Sequence, residues 1–289
     1  MNAGDFRFLH RLRVRWCEVD AQKIVFNAHY LMYLDTAMAD YWRAMALPYE
    51  ATLAQFGGDL YVKKSTLEYH GSARYDDALE IGLKCYRLGN SSLTFTAAIL
   101  CGSDALVTGE LIHVFADPAT QTSRPLPAPL REVFLAFEDG QEMVHVRCGT
   151  WGELGPDAAD LRTQVFVREQ KISKEMERDE ADTTAVHAVA YNRLGQPVAT
   201  GRLLQHERGV GRIGRLAASR LLRGAGFGSA ILRHLMAAAR ARGDHSVVLH
   251  AQRSAQGFYQ RAGFAPRGEP FDEAGISHIE MHAATGLCA

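Results

Sequence analysis

Between residues 223 and 228 the chain reads Arg-Gly-Ala-Gly-Phe-Gly, and this run narrows the possible folds more than any other segment. Glycines at alternate positions permit backbone conformations and close approaches that side chains forbid. The run follows the stretch IGRLAA (213–218). It precedes a stripe of Ile231, Leu232, Leu235, Met236 and Ala239 on one helical face. Strand, glycine-rich turn and amphipathic helix, in that order, present free backbone N–H groups at a helix start. An anion such as a pyrophosphate is favoured there, although the same turn can also serve without a ligand. Ser229 stands where a dinucleotide fingerprint needs its third glycine, and no Gly-Lys-Ser/Thr follows. The run is therefore neither a dinucleotide fingerprint nor a P-loop.

This turn lies in the second of two halves. A chain of 289 residues corresponds to about two domains. Segment 117–130 carries four of the nine prolines and loses all periodicity, so a linker or tail is expected up to about Gly140, with 130–137 as a short helix. Before it, Leu12, Val14 and Trp16 alternate with Arg11, Arg13 and Arg15, the period of a half-buried strand. Leu31, Leu34, Met38, Tyr41 and Met45 then recur at helical spacing, predicting a core helix from about Ala28 to Met45 that ends before Pro48. Strands are predicted at 60–69, 79–87, 93–101 and 107–115, and the short returns favour antiparallel pairing. After the linker, strands are expected at 143–148, 184–192, 197–204, 211–217, 246–251 and 277–283. Helices are expected at 156–169 and 254–262, besides the one after the glycine run.

Composition excludes several classes. Thirty-two basic and 33 acidic residues give a formal charge of -1, which supports neither a nucleic-acid surface nor a polybasic membrane anchor. Five scattered cysteines, at 17, 85, 101, 148 and 288, form no CxxC pair, and buried thiols in a reducing compartment are expected. No HExxH motif or paired thiolates appear, so no metal is expected. Arginines interrupt the N-terminus where a signal peptide needs its apolar core, and no run of 18 apolar residues appears. The expected location is cytoplasmic, without a membrane span.

The second half resembles the Gcn5-related N-acetyltransferase (GNAT) superfamily. Its acetyl-CoA signature, Gln/Arg-x-x-Gly-x-Gly/Ala, is matched by Arg223, Gly226 and Gly228. The later motif appears as LHAQRSAQGFYQRAGF (249–264), and segments 165–191 and 275–281 are similar to the small ElaA-like branch. The resemblance covers nearly all of 141–284. It implies that Gly224, Phe227 and Ser229 join the signature in holding acetyl-CoA or a longer acyl-CoA. It also implies that the backbone around Leu216 and Ala217 pairs with the pantetheine arm, and that Tyr259 is a general acid near the thioester sulfur. An amine acceptor must be neutral before it attacks. Glu169, Glu180, Asp182, His187 and His278 are the available bases, His187 by its alternation in a strand facing either way, and Arg215 is either structural or ligand-facing.

In the first half, Asp20 sits in a turn ahead of the core helix, where a carboxylate is ordinarily a cap or solvated. Residues 8–125 resemble the hotdog-fold acyl-CoA thioesterases of the 4-hydroxybenzoyl-CoA and YbgC/FadM kind. The motif Asp-x-x-Gly-Val-Val-x-x-x-x-Tyr is met by Asp20, Ile24, Val25 and Tyr30, with TLEY (66–69), SARYDD (72–77), LGNSSLTF (88–95) and GELIHVF (109–115) in order. Lys23 stands at the glycine position, and Asn27 stands where the YbgC branch often has histidine, with His29 nearby. The resemblance implies that Asp20 is nucleophile or general base and that helix-start N–H groups stabilise the oxyanion. It also implies a homodimer or homotetramer assembled through this domain.

The expected architecture is therefore an α+β two-domain chain, a hotdog domain (1–135), a linker (136–142) and a GNAT α/β domain (143–289). The expected function is bifunctional, acyl-CoA hydrolysis in the first domain and acyl transfer from CoA to an amine of unknown identity in the second. Two alternatives remain open. In one the hotdog domain serves only assembly or acyl-CoA sensing beside an active acetyltransferase; in the other the whole chain binds acyl-CoA without turnover.

Overall fold

The structure is a computed structural model and describes residues 1–286, so Cys288 lies outside the described residues. It divides into two compact units, 1–143 and 144–289. The first contains β1 (Phe8–Arg13), α1 (Asn27–Ala44), α2 (Tyr49–Gln55), β2 (Asp59–Tyr69), β3 (Ala78–Leu88), β4 (Ser92–Cys101), β5 (Asp104–Ala116) and α3 (Ala128–Glu138). Its five strands form one antiparallel sheet in the order β1-β3-β4-β5-β2. The long helix α1 packs against β1 and β3, the hotdog arrangement. Its buried residues Tyr30, Tyr33, Leu34, Ala37, Met38, Tyr41 and Trp42 keep the spacing of one helical face. Leu31 departs from the expected stripe and is exposed. Around Tyr41 the rings of Phe95, Phe134 and Phe137 pack in edge and stacked contacts that join α1, β4 and α3.

Four further expectations are corrected. β1 ends at Arg13, and Trp16 is 74% exposed in a 3-10 turn. The cause is Glu18, whose buried carboxylate accepts hydrogen bonds from the Arg15 amide, the Arg15 side chain and the Tyr33 hydroxyl, and so draws the backbone out of the strand. Burial opposes ionisation of Glu18, but the bonds from Arg15 and Tyr33 hold it below the usual carboxylate range. Segment 117–130 is stitched into the first unit. The Arg124 amide donates to the Phe115 carbonyl, its guanidinium donates to the Gly57 carbonyl, and the Leu126 amide donates to the Asn90 carbonyl. Residues 136–138, assigned to the linker by sequence, complete α3, because Phe137 is buried in the first core. Of the described cysteines only Cys85 is buried, since Cys17 lies in the 3-10 turn and Cys148 on an edge strand.

The second unit contains β6 (Val144–Gly149), α4 (Trp151–Arg162), α5 (Lys174–Glu177), β7 (Val186–Asn192), β8 (Pro197–Glu207), β9 (Val210–Ala218), α6 (Phe227–Arg242), β10 (Ser246–Gln252), α7 (Gln256–Arg261), β11 (Ala265–Glu273) and β12 (Ile276–Ala284). The sheet order is β11-β12-β10-β9-β8-β7-β6, antiparallel except for β9 against β10. The helix expected at 156–169 begins at Trp151, because Thr150 and Glu153 form a capping box, and it continues as a π-helical turn from Thr163 to Glu169. Strand β11 was not anticipated; its Pro266, Gly268 and Pro270 break any period-two signal. Among the described residues no helix is long and apolar enough to cross a membrane.

Candidate functional site

In the second unit the parallel pair β9/β10 is short. Val210, Gly211 and Arg212 face Ser246, Val247 and Val248, and beyond them the two strands part. β9 continues against β8 and β10 continues against β12. The β9 edge that faced β10 is thus left without a strand partner from Ile213 onward, and its N–H and C=O groups are open to a ligand chain. Leu216 lines the resulting opening, while Ala217 is buried. Arg215 adopts a left-handed φ of 52° at a bulge, where the pairing shifts between Thr200 and Arg202. Its side chain stays on the wall of that opening and donates to the Met176 and Glu177 carbonyls and to Asp179.

β9 runs on to Ala218, which lines the cavity of the glycine run. Gly224 and Gly226 have φ of 88° and 89°, the left-handed conformation that favours glycine. Gly226 is the N-cap of α6, and no side chain caps the helix, so its first amides remain available to an anion. A Cβ on either glycine would meet no protein atom within 4 Å, so the turn stands open rather than packed. Arg223, Gly224, Gly226, Phe227, Gly228 and Ser229 line one cavity of about 640 Å³, together with Arg233 and Arg261, which sequence reasoning missed. Arg233 shares the first turns of α6 and Arg261 ends α7, so each joins the cradle only through the fold. The donor set and left-handed glycines fit a pyrophosphate.

Tyr259, 9% exposed, lines a second cavity of about 460 Å³ bounded by the parted strands, the π-helical turn and α5. Burial pushes its hydroxyl up to about 12, so it keeps its proton at neutral pH. His278 is the one expected base that lines this cavity. Its Nδ1 lies 2.8 Å from the Ile276 carbonyl and must donate there, so in the neutral ring Nε2 carries the lone pair.

The other expected bases are placed elsewhere. Glu169 holds the Arg223 guanidinium at 2.6 and 2.7 Å, and that partner lowers its carboxyl below the ordinary range. Glu180 is exposed and away from the cavity. Asp182 is buried between Arg162 and Arg202. His187 is 1% exposed behind the sheet, with Nε2 2.9 Å from the Asp182 carbonyl and its ring against Trp151. Instead the cavity gathers His250, Glu273 and Arg212, none of them anticipated. Glu273 belongs to the unforeseen strand β11, and Arg212 and His250 meet only because β9 and β10 start out paired.

Burial holds His187 below the ordinary histidine value of 6.5, against the opposing pull of Asp182. The native state then binds fewer protons than the unfolded chain, so this stability is complete above about pH 6.5 and declines as pH falls toward the lowered native value. We expect the unfolding temperature of the second unit to drop between about pH 7 and pH 5, and His187→Gln to flatten that slope in a differential scanning series. An unchanged slope would assign the acid sensitivity elsewhere.

In the first unit, Asp20 closes the turn before α1. Its Oδ1 accepts from the Gln22 amide at 2.7 Å, its carbonyl accepts from the Lys23 amide, and its own amide donates to the Ile24 carbonyl. Lys23 has φ of 62°, which explains why a glycine suits this position. Asp20 is half-buried and keeps one carboxylate oxygen outside these bonds. Helix α1 has no side-chain N-cap, so its first amides are free for an oxyanion. Tyr30 is buried, accepts from the Ala73 amide at 2.9 Å and contacts the Tyr69 ring, a structural position. Asn27 is exposed at the helix start and its carbonyl faces the Tyr69 hydroxyl at 3.5 Å.

Comparison with known proteins divides along the same lines. Residues 22–108 match the thioesterase superfamily, and residues 154–284 match the acetyltransferase (GNAT) domain. The acyl-CoA thioester hydrolase YbgC of Escherichia coli O6:H1 is 31% identical over 128 residues, 44% of this chain and 93% of that protein. The uncharacterized N-acetyltransferase YjcF of Bacillus subtilis is 36% identical over 126 residues, 43% of this chain and 89% of that protein. A solved acyl-CoA N-acyltransferase from Pseudomonas aeruginosa is 35% identical and covers 48% of this chain and 98% of its own, with a TM-score of 0.43. The chain therefore belongs to the thioesterase superfamily through its first unit and to the GNAT acetyltransferase family through its second.

Proposed function

We propose that the chain is a bifunctional CoA-thioester enzyme that hydrolyses an acyl-CoA in its first unit and transfers an acyl group from CoA to an amine in its second. The observation that carries the transferase half is the parting of β9 and β10 above a glycine-led helix start, with a protonated tyrosine on the adjoining cavity. Free amides of α6, with Arg233 and Arg261, hold the pyrophosphate, and the β9 edge from Ile213 to Ala218 pairs with the pantetheine arm. His278 Nε2 is a base for the amine. The neutral nitrogen attacks the thioester carbon, the carbon–sulfur bond breaks, and Tyr259 gives its proton to the departing sulfur.

In the first unit Asp20 activates water or attacks the thioester directly, and the first amides of α1 stabilise the oxyanion. The family resemblance supports a homodimer or homotetramer through this unit. Thiol release from a panel of acyl-CoAs, measured with and without amines, separates the two activities. Tyr259→Phe is expected to lower the amine-dependent release by about 10²-fold, the low end for a general acid because a thiol leaves readily. An undiminished amine-dependent rate in that variant would remove Tyr259 from the mechanism. Absence of any amine-dependent release would leave the second unit as a binding module.

A further inference from the structure

Three arginines line the cavity beside Tyr259, and two of them are committed to carboxylates. Arg202 grips Asp179 through both guanidinium nitrogens at 2.6 Å and also holds Asp182. Arg215 holds Asp179 at 3.2 Å. Arg212 differs. Its hydrogen bond is to His250 Nδ1 at 3.0 Å, and among the described residues it forms no ion pair. The same Nδ1 lies 3.1 Å from a carboxylate oxygen of Glu273.

One ring nitrogen cannot serve both neighbours. With a proton on Nδ1, His250 donates to Glu273, and Arg212, which can only donate, loses its acceptor. With a lone pair on Nδ1, His250 accepts from Arg212, and Glu273 loses its donor. In either state one of the two opposite charges on the cavity wall goes without its hydrogen bond to His250, although Glu273 keeps the coulombic attraction of Arg212 and His278. A ligand carrying both charges close together satisfies the two at once. Phe166, Ile172 and Met176 add an apolar stretch, and the other charges on the wall are already paired, Glu177 with Arg162 and Asp179 with Arg202 and Arg215.

We infer that the acceptor of the second unit is an amine bearing its own carboxylate, a free amino acid, with the carboxylate held by Arg212 and the ammonium received beside Glu273 and His250. This rests on the transferase reading for its chemistry but not for its binding step. Arg212 is here a specificity-determining residue, and a bidentate guanidinium–carboxylate contact is the reason arginine suits the position.

The test uses the full chain with acetyl-CoA and matched amines: leucine, leucinamide and isoamylamine, and phenylalanine beside phenethylamine. The carboxylated member of each set is expected to have a kcat/KM roughly ten- to a hundredfold higher, the value of a charge-assisted bond in a cavity. Arg212→Gln should bring the amino acids down to the level of their decarboxylated partners, and Arg212→Lys should restore part of the difference. Equal use of amino acid and amine by the unaltered protein overturns the inference and leaves the transferase reading standing. If no amine is acylated, calorimetric titration of the CoA-loaded protein decides. Leucine binding that weakens with leucinamide and in Arg212→Gln sustains the inference while the transferase reading falls. Binding indifferent to the carboxylate, or no binding, overturns it.

Discussion

Replacing Asp20 by Asn is expected to lower amine-independent thiol release from acyl-CoA by about 10²–10⁴-fold, the range for loss of a general base or nucleophile. The substitution is chosen because it spares the turn. Asn keeps an oxygen that can accept from the Gln22 amide, and the backbone bonds of Asp20 with Lys23 and Ile24 do not involve the side chain. The left-handed Lys23 therefore stays in place, as do the amides of α1 that would stabilise an oxyanion. What disappears is the basicity of one half-buried carboxylate. Thermal unfolding of the variant should match the parent within a degree or so, since a surface substitution that preserves its hydrogen bond costs little. Unchanged hydrolysis would assign the first unit to assembly or acyl-CoA sensing. Collapse of hydrolysis together with collapse of stability would instead mark Asp20 as a structural cap.

The two elements most legible before the structure were those in which local chemistry and tertiary role coincide. The alternate glycines of 223–228 announced a turn and a helix start; both are present, and the turn is left-handed at Gly224 and Gly226. The stripe from Leu31 to Met45 announced a buried helical face, and all of it but Leu31 is buried. Where a contact crossed the fold, sequence was silent. Glu18 is a single carboxylate in a polar stretch, yet it ends β1 because Tyr33, one helix away, completes its hydrogen bonds. Arg212, His250 and Glu273 lie on three strands, and only the sheet order brings them to one cavity. His187 shows the opposite failure. Its alternation allowed either face, and the sheet turned it toward Asp182 and Trp151 rather than toward the cavity. A helix was expected as far as residue 169, but nothing in the sequence announced that 163–169 winds as a π-helix, the turn that supplies the carboxylate clamping Arg223.

The second large effect is expected from a residue that lines neither of the two cavities. Arg162 is 1% exposed, and its guanidinium donates to the Glu177 carboxylate, to the Glu177 carbonyl at 2.9 Å, and to both oxygens of Asp182 at 2.8 and 2.9 Å. Glu177 and Asp182 are themselves buried. Burial disfavours the ionised Asp182, and it is the hydrogen bonds from Arg162 and Arg202 that hold its carboxyl below the ordinary range. Arg162→Ala would leave the Glu177 carboxylate without its hydrogen-bonded guanidinium and Asp182 with one guanidinium in place of two, at a cost of about 3–5 kcal/mol. That corresponds to roughly two to four orders of magnitude in the folding equilibrium of the second unit. Urea unfolding followed by probes in that unit measures it, and a loss under about 1 kcal/mol would show that water replaces the guanidinium. The same substitution should also weaken acyl transfer, because α5 and the turn after it carry Met176, Glu177 and Asp179 to the cavity wall and are anchored through this network. The triple variant Arg162→Met, Glu177→Gln, Asp182→Asn removes three of the buried charges together and leaves Arg202 paired with Asp179. It should recover much of the lost stability, since neutral groups carry no such desolvation cost. It should not recover the activity, because Arg202 would then lose one of its carboxylates and the turn one of its anchors. Stability restored without transfer would separate the two tasks of the network, holding the fold and presenting the cavity wall.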